Sequence, residues 1–278
     1  MKTCYISDLD GTLLDGSVQL TQFTKNALSV LVKHGVNITA ATARSPYSVR
    51  KIFSGVNIPL PMILMNGVIF YDNAKDEIIS YNEISRSAAL QVIKTVKGFG
   101  ITAFMYLISD KKLIVRHENI DTPYMYGFYR QWLVNYGKQF EFAQNLENAV
   151  ENGIVYFTLL YDKSTLEPVC EAVSKIEGIS CSFYNDIYSD MWYLEVFSDK
   201  ATKYNGALRL KEQYGFDRLV AFGDSENDIP LFKAADVKLA VENGCESIKS
   251  MADEILSGSD CVVKYISQDT GIDLSEKM

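Results

Sequence analysis

Short apolar, strand-forming runs alternate with amphipathic helical runs over residues 1–82, and again from about residue 200. This alternation restricts the fold more than any other feature, because parallel strands need a crossover between them and the usual crossover is a helix. Residues 4–7 predict a short buried strand that runs out into an acidic turn. Phe23, Ala27, Leu28 and Leu31 lie at helical spacing and stop at Gly35, a natural helix end. Residues 36–41 form the next strand, and Ser45-Pro46 then supplies an N-cap and a proline-tolerant first helical position. A third strand is expected at 62–65 and a hairpin over 68–82, turning near Asn73. The late half repeats the pattern, with helices expected at 203–213, 228–234, 246–252 and 260–267 and strands at 219–222 and 237–241.

Between the two halves the texture changes. A helix at 86–97 leads to paired strands at 101–108 and 112–117, and an aromatic helical stretch follows over 124–136. A strand at 155–161, a helix opened by the capping box Ser164/Glu167, and strands near 179–184 and 192–197 complete the segment. Paired strands with helices between them predict an α+β insertion over 83–190, splitting one α/β domain into residues 1–82 and 191–278. Tyr124, Tyr126, Tyr129 and Trp132 could offer a stacking platform, but aromatics at helical spacing are expected to pack a core.

Composition narrows function by exclusion. With 47% hydrophobic and 22% charged residues, the chain has the mixture of an ordinary globular protein. A net charge of −8, with no basic stripe, disfavours nucleic acid as a partner. No run reaches the roughly 20 apolar residues that span a bilayer. The amino terminus enters a strand without a signal-peptide pattern, so a cytoplasmic location is expected. The five cysteines form no CxxC pair and there are only two histidines, which argues against a disulfide framework, a zinc knuckle or a histidine-rich metal centre.

The chemistry is concentrated at predicted strand ends, where open parallel sheets bind ligands. Asp8-Leu9-Asp10-Gly11-Thr12 follows the first strand, and Gly223-Asp224-Ser225-Glu226-Asn227-Asp228 follows the strand at 219–222. Carboxylates so close repel one another unless a cation offsets them or one is protonated. An EF-hand is excluded because its twelfth-position Glu is absent. Read alone, the second cluster serves equally as a helix N-cap through Ser225 or Asp228. Together the clusters make a hard-cation site, with magnesium favoured because it takes few carboxylates and keeps waters and substrate oxygens. Thr42 closes the second strand, where a hydroxyl and free amides suit a phosphoryl oxygen, although a strand-end Thr is more often structural. Lys203 opens the helix after the insertion; by default such a lysine is a solvated one.

In this order the motifs resemble the haloacid dehalogenase superfamily of phosphatases. Asp8–Thr12 is similar to its DxDGT signature, and Thr42, Lys203 and Gly223–Asp228 match its second, third and fourth motifs. Met65-Asn66-Gly67, the length and position of the insertion, and Ala240-Val241-Glu242-Asn243-Gly244 resemble the Cof-type subgroup. Two departures stand out: Thr42-Ala43-Arg44 replaces the common Thr-Gly-Arg, and Tyr204 follows the lysine where glycine is common, which leaves Lys200 as a rival.

The resemblance implies a Rossmann-like parallel-sheet core with an inserted α+β cap acting as a lid. It implies a magnesium-dependent phosphatase acting on small phosphorylated metabolites. Asp8 would be the nucleophile and Asp10 the general acid–base. Magnesium would be held by an Asp8 oxygen, the Asp10 backbone carbonyl and Asp224, with Asp228 in support. Thr42 and Lys203 would meet the phosphoryl charge, and Asn66 and Asn227 would contact phosphate or substrate. The rivals are a phosphorylated receiver domain, a silent phosphate-binding protein and a phosphomutase. The large insertion and the Asp10-Gly11-Thr12 continuation favour the hydrolase over the receiver.

Overall fold

The computed structural model describes residues 1–120, 122–185 and 191–277, and the chain divides into two compact units, 1–80 with 202–278 and 81–201. The first unit opens with β1 (Thr3–Ser7), α1 (Gln22–Lys33), β2 (Asn37–Ala40) and α2 (Pro46–Ile52). β3 (Met62–Leu64), β4 (Ile69–Asp72) and β5 (Glu77–Tyr81) follow. β2 pairs parallel with β1, as the alternation requires. β3 meets the expectation of a third parallel strand only in part, through one parallel bridge. It pairs antiparallel with β4 in a separate three-stranded sheet, and touches the main sheet through a single bridge, Ala41 to Ile63. The turn at Met65–Gly67 reverses the chain immediately, so β3 is spent on its own hairpin.

The second unit begins with α3 (Arg86–Gly98), β6 (Phe104–Ser109), β7 (Lys112–His117) and α4 (Pro123–Tyr136). It continues through β8 (Gln139–Phe142), β9 (Ile154–Tyr161), α5 (Lys163–Val173), β10 (Ile179–Asn185) and β11 (Trp192–Ser198). Its six-stranded sheet runs β10-β11-β9-β6-β7-β8, antiparallel except for β7 with β8. β11 pairs on both sides in this sheet, so the unit runs on to residue 201, past the boundary expected at 190. The cap of α5 also differs from expectation. Asp162, not Ser164, accepts the Thr165 amide at 3.0 Å, and the Ser164 hydroxyl donates to Asp162 from inside the first turn.

α4 lays Met125 and Phe128 against the sheet, with Tyr129 on Phe140 and Trp132 on Phe128. Tyr124 and Tyr126 lie about 100° to either side of Met125 on the helix and are exposed, contrary to the core role expected for them. Beneath α4 the buried Lys138 ammonium sits 4.4 Å from the Tyr106 ring and 4.5 Å from the Trp132 ring, donating to the Tyr106 hydroxyl at 3.1 Å. Burial pulls its pKa down to about 7.

The chain then returns to the first unit with α6 (Lys203–Tyr214), β12 (Arg218–Gly223), α7 (Ile229–Ala234) and β13 (Val237–Val241), followed by α8 (Glu246–Lys249), β14 (Glu254–Leu256) and α9 (Cys261–Thr270). The five-stranded sheet runs β14-β13-β12-β1-β2 and is parallel throughout. From β1 the chain steps outward to β2, whereas β12, β13 and β14 step outward on the other side. The strand order therefore switches between β1 and β12, the place where such sheets open a crevice. Cys4, Ile6, Leu219, Ala221, Ala207 and Leu210 pack the core beneath it. Among the described residues, no helix is long and apolar enough to cross a membrane.

Candidate active site

Register brings the two acidic turns together. Ser7 of β1 lies beside Phe222 of β12, and the Asp8 amide donates to the Phe222 carbonyl at 3.0 Å. Asp8 and Asp224 thus leave neighbouring strands at one level. The turn after Asp8 is tight: Gly11 has a φ of +76°, and a Cβ there would stand 2.5 Å from Asp224 Oδ2. Glycine is needed both for the left-handed backbone and for that approach. Thr12 donates to Asp224 Oδ1 at 2.9 Å, and Asn243 ties the loop from the β13 side by donating to the Gly11 carbonyl at 2.8 Å.

One carboxylate oxygen each from Asp8, Asp224 and Asp228 lies within 4.8 Å of the others. Lys203 enters from the start of α6, almost fully buried, with Nζ 2.6 Å from Asp8 Oδ1 and 2.6 Å from Asp228 Oδ1. The other Asp228 oxygen accepts the Asp224 and Ser225 amides, so Asp228 closes the turn that begins at Ser225 and binds the lysine at once. Lys200 is exposed on the strand-to-helix connection, so the geometry favours Lys203.

Met65-Asn66-Gly67 helps to place that lysine. Gly67 has a φ of +106°, and a Cβ there would stand 2.4 Å from the Thr202 carbonyl oxygen, at the N-cap of α6. Thr42 is buried, with its hydroxyl accepting the Arg44 amide at 3.2 Å and its carbonyl accepting the Asn66 amide at 3.0 Å. Asn66 Oδ1 is buried with no hydrogen-bond partner among the described residues. Asn227 is exposed and accepts from Ser225. The Asp10 side chain stands outside the carboxylate cluster and pairs with Arg44.

Burial pushes the Asp8 carboxyl up to about 7; Lys203 opposes this, while Asp228 and Asp224 add to it. Asp224 is raised as well, by burial and then by Asp228, against the Thr12 hydroxyl. Burial pulls the Lys203 ammonium down, but Asp8 and Asp228 outweigh it and hold its pKa above the ordinary value. Three carboxylates therefore face one ammonium, and the excess negative charge and hard oxygen donors fit a divalent cation.

The sequence-level reading assigned no role to Thr12, Asn243 or Arg44. All three lie in segments that the motifs mark, yet their partners are remote in sequence and depend on register.

The residue pattern of the haloacid dehalogenase-like hydrolases matches this chain over residues 5–266. The chain belongs to that family, in its Cof-type group, and is an enzyme of the phosphatase type. It is 22% identical to the pyridoxal phosphate phosphatase YbhA of Escherichia coli, over 93% of this chain and 95% of that protein. It is 24% identical to the phosphatase YwpJ of Bacillus subtilis, over 91% and 94%. A haloacid dehalogenase-like hydrolase from Bacteroides thetaiotaomicron shares the fold with a TM-score of 0.78, covering 97% of this chain and all of that one at 18% identity. The family implies a divalent metal, and the Asp8, Asp224 and Asp228 cluster fits one.

Proposed function

We propose that the chain hydrolyses small phosphorylated metabolites with magnesium, through an aspartyl-phosphate on Asp8. The observation that carries this reading is the buried Lys203 joined at 2.6 Å to both Asp8 and Asp228, beside Asp224 and at the switch point of the sheet. With Oδ1 of Asp8 held by Lys203, the other oxygen is left to attack phosphorus. Asp10 gives a proton to the leaving oxygen and later takes one from the attacking water. A covalent intermediate divides one hard step into two easier ones. Asp8, the Asp10 carbonyl and Asp224 would hold magnesium, with Asp228 in support. Bound there, the ion would offset phosphoryl charge and carboxylate repulsion. In this reading Lys203 and the Thr42 hydroxyl meet the phosphoryl oxygens and Asn66 contacts phosphate or substrate, which its buried Oδ1, without a hydrogen-bond partner among the described residues, supports. YbhA's name makes cofactor phosphates sensible substrates to include beside sugar phosphates.

The test is phosphate release from a panel of esters, with magnesium and with chelator. Asp8→Asn and Asp224→Asn should abolish turnover, and Lys203→Ala should lower kcat about 100-fold or more, whereas Lys200→Ala should barely change it. Full activity in chelator, or an active Asp8→Asn variant, would end this reading.

A further inference from the structure

Arg44 grips Asp10 by both carboxylate oxygens, with Nε 2.7 Å from Oδ2 and Nη2 2.5 Å from Oδ1. Its remaining nitrogen, Nη1, donates at 2.6 Å to the hydroxyl of Ser48, a buried residue in the first turn of α2. The arginine backbone is fixed too, its amide donating to Thr42 and its carbonyl accepting from the Met65 amide at 3.1 Å. All three guanidinium nitrogens are thus committed, two to Asp10 and one to a buried anchor. By contrast, the Asp10 side chain is about half exposed (49%), on a turn that would otherwise leave its torsions free.

We propose that Arg44 is a positioning residue for Asp10, holding its carboxylate in the one orientation from which it exchanges a proton with the leaving oxygen. This rests on the phosphatase reading, in which Asp10 does that work. The fork-on-carboxylate pair is among the most directional side-chain contacts, and it occupies one lone pair on each oxygen. The second lone pair on each can carry the proton that Asp10 gives to the leaving oxygen and later takes back from water. As the bond from Asp8 to phosphorus forms and the ester bond breaks, the proton passes from Asp10 to the departing oxygen. When water later attacks the aspartyl-phosphate, Asp10 recovers a proton. An arginine that bound the phosphoryl group directly would act on every substrate alike; one that acts through Asp10 matters most where the leaving group needs a proton.

The experiment compares kcat/KM, which reports events up to cleavage of the ester, for an alkyl phosphate and for 4-nitrophenyl phosphate. The alkoxide must be protonated as it leaves; the nitrophenolate leaves unaided. Arg44→Ala should lower kcat/KM about 30-fold for the alkyl ester and less than about threefold for the aryl ester. Arg44→Lys should stay impaired on the alkyl ester, since it restores charge without the fork, and Ser48→Ala should show the same selectivity more weakly. In a double-mutant cycle, Asp10→Asn with Arg44→Ala should be no worse on the alkyl ester than Asp10→Asn alone. Equal losses on both esters, full rescue by lysine, or additive losses would overturn the role. Wild-type protein that hydrolyses neither ester would overturn the functional reading itself, and this role with it.

Discussion

Asp8 shows how one residue carries opposing demands. In its proposed roles of nucleophile and metal ligand it would have to be ionised, yet burial raises its carboxyl to about 7, against roughly 3.9 for an unfolded chain. Between those values the native protein holds a proton that the unfolded chain has lost. The stability that Asp8 contributes is therefore complete below about pH 4 and gone once the pH has risen through about 7. A cation binding at Asp8 has to displace the same proton. We predict that magnesium binding at pH 6 releases close to one proton, and at pH 8.5 almost none. Calorimetric titration in two buffers of different ionisation enthalpy counts these protons. Equal counts at both pH values would contradict the raised carboxyl, and Asp8→Asn should remove the difference.

At the scale of elements, α4 and the sheet of the second unit enclose Lys138 in an aromatic cage. The cage supplies neutral hydroxyls and ring faces, and Glu195 is the acidic group that acts on the amine. A lysine near 7 in the native state and near 10.4 when unfolded leaves the native state short of a proton between those values. Stability should then rise with pH from about 7 to 8.5, on the order of 1 kcal/mol per pH unit. Lys138→Met, which fills the cage without a charge to bury, should lose that rise and gain stability at pH 7. Urea unfolding of both proteins at three pH values tests this; parallel profiles would show that the amine stays charged. The cage was not legible in the sequence. The helical spacing of Tyr129 and Trp132 predicts a buried helix face, but nothing local says that a lysine beyond the helix's own end folds back beneath it.

At the scale of the whole molecule, the residues proposed to bind metal and phosphate all belong to the first unit, although 195 positions separate Asp8 from Lys203 in the chain. Ligand binding stabilises what it touches. Magnesium with a phosphate analogue should therefore slow amide exchange in the turns after β1 and β12 and at the start of α6. The strands β6, β7, β9, β10 and β11 should exchange at unchanged rates. Exchange followed by mass spectrometry resolves these segments. Equal slowing in the six-stranded sheet would mean that the two units respond together.

What the sequence by itself determined is local. Apolar runs closed by acidic turns, helix ends marked by glycine, and the ordered motifs are readable because their causes lie within a few residues, in backbone sterics and the periodicity of burial. From them came the parallel α/β unit and its interruption by an α+β segment, while the resemblance of the ordered motifs to the haloacid dehalogenase family pointed to Asp8, Thr42, Asp224, Asp228 and a lysine at 203 or 200. Tertiary structure decided the pairings. The parallel register of β1 with β12 set Asp8 beside Asp224, and the approach of Gly67 to Thr202 fixed where α6 begins. Those contacts put Lys203 rather than Lys200 on the carboxylates, and Asp10 went to Arg44 instead of the cluster. They also kept β11 in the second sheet and left β3 almost outside the first. Hydrogen bonds between strands and charges brought together by burial depend on which distant segments become neighbours, and no local pattern encodes that.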